Sequence, residues 1–298
     1  MPSKNSPAGD AEDLREAEAA FQDARGYLFG IAYRMLGSAG EAEDILQEAW
    51  IRWQTSDRSK VENPRAFLTT TVTRLAINVL QSARVRRQTY VGPWLPEPVD
   101  TSGDPALGAV NAEALELAVL MLLEKLTPTE RAAYVLRQAF DYPYEQIAEI
   151  TGQTNASARQ LVSRARKRLA AEKRASVAAA EHKRFLTAFV TAAQDGDVAV
   201  LERLLTEDAI SYADGGGVVR ASKFPVVGRH RVARYYHAFA DRFWPGVTVE
   251  PAEANGRPAV SLSRDGTVFA VLTVSVTPDG IDRVLVMMNP SKLAAMTV

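Results

Sequence analysis

The chain of 298 residues has no cysteine, which excludes disulfides, thiolate catalysis and cysteine-ligated zinc. Histidine is also scarce: only His182, His230 and His237 are present, and their spacing does not suit a metal site. We therefore expect neither a metal nor a cofactor.

Long apolar runs are missing as well. No stretch approaches the roughly 18 apolar residues of a membrane span, and the start MPSKNSPAGDAEDLREAE lacks a signal-peptide core, so we expect a cytoplasmic protein. The net charge of −1 argues against indiscriminate binding to nucleic acid. At 47% apolar residues, the chain is able to build two or three cores, which favours a multidomain protein.

The basic residues that are present concentrate in one predicted helix. Ala158, Leu161, Val162, Ala165 and Leu169 recur at helical spacing, which predicts one buried stripe. Between residues 155 and 174, seven basic residues face a single acidic one. Guanidinium and amide groups off the stripe suit base edges, and lysine suits phosphates. The expected DNA contacts are Arg159, Gln160, Ser163, Arg164, Arg166 and Lys167.

Two local signals predict that this helix is the second helix of a helix-turn-helix. Ala148 permits a close helix crossing, and Gly152, four residues later, is free to adopt positive φ in the turn. Upstream, Thr127-Pro128-Thr129-Glu130 has the cap, proline and glutamate of a helix start. The spacing does not say which class of DNA-binding protein carries the motif.

Composition divides the rest of the chain. Residues 1–19 are polar and acidic, which predicts a disordered tail, and 20–89 read as a helical bundle. Residues 90–106 hold four prolines and form a linker, and 107–178 carry the helix-turn-helix. In 179–298, helices precede β-branched runs separated by turn pairs. The predicted fold is thus two all-α domains followed by an α+β domain with a curved antiparallel sheet.

Particular motifs resemble a known family. AEDILQEAWIRW and NPRAFLTTTVTRLAINVLQSARVRR resemble region 2 of bacterial sigma factors, and the helix-turn-helix resembles region 4. No region 3 lies between them, which matches the extracytoplasmic-function group. The C-terminal part looks like a SnoaL-like domain of the nuclear transport factor 2 fold. YVGPWLPEP, DGGG and NPSKL resemble the sigma-J-like group, in which such a domain is fused to the sigma factor.

The resemblance implies partners and contact residues. Core RNA polymerase is expected to bind the polar side of the helix from Glu41 to Trp53, through Asp44, Gln47, Glu48 and Arg52. The −10 promoter element is expected to meet the third helix, where polar side chains hold an unstacked base and arginines hold the backbone. Its contact set is Thr70, Thr73, Arg74, Asn78, Gln81, Arg84, Arg86 and Arg87, although Arg74 could instead brace the fold.

The C-terminal domain has three possible roles. Catalysis would use Asp214, His230 or His237 as a base, with Tyr212 and Trp244 as pocket walls. The domain could also bind an unidentified small molecule, or it could regulate by contact, because tethering gives it a high effective concentration. A proline-flanked aromatic is a rigid anchor for such contact. The expected regulatory contacts are Trp94, Pro96, Asp214, Gly215, Gly216, Gly217, Asn289, Pro290, Lys292 and Leu293.

We therefore interpret the chain as a non-enzymatic sigma factor that brings core RNA polymerase to promoters with −35 and −10 elements, initiates transcription and is regulated by its own C-terminal SnoaL-like domain. One alternative is a one-component helix-turn-helix regulator with a ligand-sensing domain, which would have no use for residues 42–87. The other is a SnoaL-like enzyme on a DNA-binding tail. Ser291 stands where the family suggests an acidic residue, so a charge-dependent contact is not expected there.

Overall fold

The computed structural model describes residues 7–88, 90–101, 115–170 and 177–296, with the backbone alone for 7–11, 83–88 and 295. The chain forms two compact units. The first unit combines Met1–Ala83 with Leu126–Lys167, and the second combines Arg84–Gly108 and Ala112–Lys125 with Arg168–Val298. Within the described ranges, no helix has both the length and the apolar character that a bilayer crossing requires.

The helices take up the first unit and flank the strands of the second. In chain order the elements are α1 (Pro7–Leu36), α2 (Ala39–Thr55), α3 (Pro64–Gln88), α4 (Leu117–Leu123), α5 (Pro128–Ala139), α6 (Tyr144–Thr151), α7 (Asn155–Ala170), α8 (Ala179–Asp195), α9 (Val198–Leu204), β1 (Leu205–Asp214), β2 (Val226–Val227), α10 (Arg229–Phe243), β3 (Thr248–Ala254), β4 (Arg257–Arg264), β5 (Thr267–Thr277), β6 (Gly280–Met287) and α11 (Pro290–Leu293).

Helix α1 begins earlier than the sequence predicts. The expectation of a disordered tail over residues 1–19 is wrong from Pro7 onward, while residues 1–6 lie outside the described residues. The segment AEDLREAEAA is rich in good helix formers. Tertiary contacts hold it, because the indole of Trp53 donates to the carbonyl of Ala17 at 3.0 Å and Arg58 pairs with Asp13.

The helix-turn-helix forms as predicted. Thr127 caps α5, with both hydrogen bonds of a capping box to Glu130. Gly152 ends α6 at φ 64°. The predicted stripe of α7 is buried along its whole length. Local sequence chemistry therefore accounts for this motif.

The sheet of the second unit has the strand order β2-β1-β6-β5-β4-β3. The α+β class is confirmed, but the sheet is mixed, because β1 and β6 pair in parallel while the other pairs are antiparallel. Tight hairpins impose antiparallel pairing only on consecutive strands, and a long connection separates β1 from β6. One face packs against α8 and α10 through residues such as Phe189 and Tyr236.

The other face of the sheet is covered by the linker and α4. Leu95, Leu117 and Leu293 form an apolar cluster with Leu285 and Met287 of β6. The sequence assigns residues 107–178 to one helical domain, whereas α4 groups with the second unit. The reason is composition: LAVLMLL is apolar all round and needs a large apolar surface.

Candidate functional site

The basic face of α7 is exposed, as the periodicity predicts. All six predicted contact residues are solvent-exposed: Arg159, Gln160, Ser163, Arg164, Arg166 and Lys167. Two arginines are also held by neighbours. Nε of Arg159 donates to Oδ1 of Asn155 at 3.1 Å. Nε of Arg164 lies 3.6 Å from a carboxylate oxygen of the buried Glu130, the same side chain that caps α5.

Sequence analysis missed an aromatic residue beside this face. Tyr144 begins α6, and its ring centroid lies 5.1 Å from the guanidinium carbon of Arg137 and 5.3 Å from that of Arg159. The sequence signal that could have identified Tyr144 was its position at the start of α6, the first helix of the helix-turn-helix. The ring limits the orientations that Arg159 can adopt.

The polar side of α3 is divided by burial. Asn78 and Gln81 are exposed, whereas Thr70 is half-buried and donates its hydroxyl to Ala66 O at 2.9 Å. Thr73 is fully buried, and its hydroxyl has no partner among the described residues. The expectation that Thr73 faces DNA is wrong in this structure, because it shares the stripe of Val72, Ala76 and Leu80. The side chains of Arg84, Arg86 and Arg87 lie outside the described residues.

Arg74 makes contacts inside the first unit. Its Nε donates to Ile150 O and its Nη2 to Glu149 O, each at 3.0 Å. These carbonyls belong to the last turn of α6, where a cation is favourable. The geometry therefore matches the alternative that Arg74 braces the fold, and contact with DNA would require these hydrogen bonds to break.

A second arginine, not anticipated from sequence, joins another pair of helices in the same unit and is more deeply buried. Nη1 of the buried Arg131 on α5 donates to Met35 O at the end of α1, at 2.7 Å. Burial lowers the pKa of Arg131 to about 9. An arginine inside an amphipathic helix resembles a surface residue in sequence, so no local signal identified it.

The predicted polymerase-binding side of α2 is available to a partner. Asp44 and Gln47 are exposed. Arg52 donates from Nε to Glu48 Oε1 at 2.8 Å, and both side chains remain about half exposed. The apolar side of α2 is buried, as expected. The helix thus presents a charged face without losing its core contacts.

Parallel pairing of β1 and β6 creates a densely hydrogen-bonded polar site in the second unit. Asp214 ends β1 opposite Met287 of β6, so the segments after both strands meet at one edge. The fully buried Asp214 carboxylate accepts from Tyr90 Oη at 2.6 Å, Leu95 N at 2.9 Å and Lys292 Nζ at 2.7 Å. Lys292 also donates to Leu95 O at 2.6 Å. The backbone N–H and the backbone carbonyl of Leu95, a linker residue, are therefore both hydrogen-bonded at this site.

Aromatic contacts complete this linker cluster, which we define as Tyr90, Trp94, Asp214, Asn289 and Lys292. The ammonium of Lys292 lies 4.4 Å from the ring centroid of Trp94 and 5.0 Å from that of Tyr90. Asn289 donates from Nδ2 to Tyr90 Oη at 2.8 Å. Burial, followed by the hydrogen bond to Asp214, raises the pKa of Tyr90. The phenol therefore stays protonated and donates to the carboxylate.

The other predicted regulatory residues fall around the cluster. Gly216 N donates to Asp214 Oδ1 at 3.0 Å, and Gly215 and Gly217 continue the turn. Pro96 and Leu293 are buried, whereas Pro290 is exposed at the start of α11. Ser291 bonds to Asn289 Oδ1 through both its amide and its hydroxyl, at 3.1 and 2.9 Å. NPSKL is thus a capped helical turn.

A second anchor of the linker was missed. Asn255, fully buried, accepts from Val99 N at 3.1 Å and donates from Nδ2 to Leu115 O at 3.0 Å. Gly256 N donates to the hydroxyl of Thr101 at 2.8 Å. The Asn-Gly pair joins β3 to β4 and was recognisable as a hairpin turn. Its additional role in holding the linker was not recognisable.

The candidate catalytic residues do not converge. His230 is exposed and bonds to Glu202, and His237 is exposed and bonds through Nδ1 to Gly196 O at 2.7 Å. Asp214 faces the linker instead. Tyr212 packs in the cluster beneath the linker, while Trp244 lines a cavity on the other face. No base and pocket pair of the expected kind forms from these residues.

His182 has a structural role with a pH-dependent consequence. It is buried, and Nε2 donates to Val274 O at 2.7 Å. Burial, assisted by Arg257, lowers the pKa of His182. The folded form thus stays neutral when the unfolded chain already binds a proton, below about pH 6.5.

We expect the stability of the second unit to fall as the pH drops below about 6.5, and His182→Gln to reduce that slope. Urea unfolding at pH 7.5 and 5.5 measures it, with exposed His237→Gln as the control. An unchanged slope in His182→Gln would contradict the assignment.

Family comparisons agree with this architecture. The model for Sigma-70 region 2 matches residues 20–87, and the model for Sigma-70, region 4 matches residues 116–169. A relative described as an ECF RNA polymerase sigma factor is 38% identical over 232 residues, covering 76% of this chain and 74% of the relative. The chain belongs to the extracytoplasmic-function (ECF) sigma factors of RNA polymerase. Nothing in the comparisons supports the one-component regulator.

That relative is SigJ of Mycobacterium tuberculosis. SigI of the same organism is 32% identical over 282 residues, covering 92% of this chain and 94% of the relative. The crystal structure of M. tuberculosis SigJ aligns with a TM-score of 0.76 and 31% identity, over 93% of this chain and 98% of that one. The match includes the SnoaL-like C-terminal domain.

Proposed function

We propose that this sigma factor uses α7 for the −35 element, α3 for the −10 element and α2 for core polymerase, and that its C-terminal domain regulates initiation by holding the linker. The observation that carries the regulatory part is the clamp on Leu95, whose N–H bonds to Asp214 and whose carbonyl bonds to Lys292. The linker joins region 2 to region 4. When the C-terminal domain holds the linker, fewer linker residues remain free to cover the distance between region 2 on the −10 element and region 4 on the −35 element.

A non-enzymatic role fits the same observations. The carboxylate that sequence offers as a base is occupied by the linker, and the two exposed histidines have other partners. The polar groups that could have acted in catalysis are thus hydrogen-bonded to other residues of the same chain. A role through contact is supported better than a role through catalysis.

In vitro transcription with purified core polymerase tests the proposal. Trp94→Ala and Gly216→Ala should change transcript yield in the same direction, and the double variant should change it by less than the sum, because contacting sites couple. Phe224→Ala is the control, since this aromatic residue is 78% exposed in the same unit. Additive effects would leave the linker as a spacer.

For the −35 surface, we expect Arg159→Ala to cost about 1 to 3 kcal/mol and to relax sequence preference, because Asn155 and Tyr144 pre-orient its guanidinium. Lys167→Ala should weaken binding to all DNA sequences by a similar factor. Titrations against native and scrambled −35 duplexes measure both, with Arg184→Ala on α8 as the control. Equal losses for Arg159→Ala on the two duplexes would exclude base reading by this residue.

For polymerase, we expect Asp44→Lys with Glu48→Lys to reduce association with the core enzyme, because both side chains lie on the accessible face of α2. Pull-down measures association, and circular dichroism verifies folding. Glu12→Lys with Glu16→Lys is the matched control, with the same charge change and spacing at two exposed positions of α1. Undiminished binding by the α2 variant would place the polymerase surface elsewhere.

A further inference from the structure

A cavity of about 450 Å³ opens in the second unit, on the face of the sheet opposite the linker cluster. Its floor comes from β1, β5 and β6 through Ala213, Leu272 and Val286, and one wall is α10. Residues 220–222 form the rim. This volume is in the range of small-molecule sites.

The wall of the cavity is aromatic. The lining side chains of this kind are Tyr235, Tyr236, Phe239, Phe243 and Trp244. The hydroxyl of Tyr236 is already bonded to Ser211 at 2.9 Å, so its ring offers an apolar surface. Phe239 is 46% exposed, although large apolar side chains are usually covered. These rings form a surface for a flat apolar molecule.

The charge of the cavity has one sign. Arg220 and Arg242 line it, and no carboxylate does. Neither guanidinium has an ion-pair or hydrogen-bond partner within the described part of the chain. The nearest acidic neighbour along β1, Asp214, faces Lys292 and the linker. An apolar site with unpaired guanidinium groups at its edge selects an anion, because arginine pairs with carboxylates in a directional way.

We propose that this cavity binds a small, flat, apolar molecule with one carboxylate. Its ring system packs against the aromatic wall, and its carboxylate pairs with Arg220 and Arg242. Binding needs neither polymerase nor DNA, so it stands or falls independently of the proposed regulation by the linker.

Calorimetry on the full chain tests the proposal with two probes of similar shape, 2-naphthoate and the neutral 2-naphthalenemethanol. We expect 2-naphthoate to bind at least tenfold more tightly. Arg220→Gln with Arg242→Gln should abolish this preference while leaving the affinity for the neutral probe unchanged. The matched control is Arg231→Gln with Arg234→Gln, two exposed α10 residues outside the cavity lining.

Phe239→Ala separates the aromatic contribution from the charge. This substitution should weaken the binding of both probes by a similar factor and preserve the preference for the carboxylate probe. Circular dichroism verifies that each variant is folded. The proposal is overturned if the wild type binds neither probe or binds both equally, or if the control pair loses the preference as fully as the Arg220 and Arg242 pair.

Discussion

Replacing Lys292 by methionine is expected to destabilise the second unit by about 3 to 5 kcal/mol and to free the linker, because it leaves a buried carboxylate without its cation. Asp214 is fully buried and its ammonium partner is 2.7 Å away. Methionine keeps most of the stem volume of lysine, so the loss comes from charge and hydrogen bonds rather than from a cavity. The bond to Leu95 O is lost in the same step.

Urea unfolding and hydrogen exchange measure the two effects separately. The Leu95 amide donates to Asp214 and should exchange faster in Lys292→Met. Lys183→Met, at an exposed position of α8, should change neither quantity. Adding Asp214→Asn should recover part of the loss, because the unpaired charge disappears. A cost below about 1 kcal/mol with unchanged exchange would show that the pair does not hold the linker.

The DNA-facing helix was predictable because its signal is local. The α7 stripe repeats at one period with clearly apolar residues, and every member is buried. The stripe of α3 contains threonines, which are small enough for a core and polar enough for a surface. Thr73 was therefore assigned to the wrong side of the helix.

The linker cluster could be predicted only in part. Trp94 was expected to be the anchor and is half-buried, whereas Leu95 beside it is 2% exposed and carries the backbone bonds. The partners of Leu95 lie 119 and 197 residues away. Single-sequence periodicity carries no information at that separation. The sequence also predicted an antiparallel sheet, which would not have brought the ends of β1 and β6 together.

The second large effect is expected at Gly216. This residue has φ 62°, where a side chain costs about 1 to 2 kcal/mol, and a Cβ atom there would lie 2.4 Å from Nδ2 of Asn289. Asn289 has little freedom to move, because it caps α11 and donates to Tyr90. Gly216→Ala should therefore add a steric loss of about 1 to 3 kcal/mol to the backbone strain.

Gly246→Ala separates these two contributions. Gly246 has a similar φ of 70°, but a Cβ atom would meet nothing within 4 Å, so only the strain remains. We expect urea unfolding to show a larger loss for Gly216→Ala than for Gly246→Ala. Adding Asn289→Ala to Gly216→Ala should cost less than the sum of the two single changes, because it removes the colliding side chain. Equal losses for the two glycine variants would mean that Asn289 yields easily and that the turn does not depend on its contact with α11.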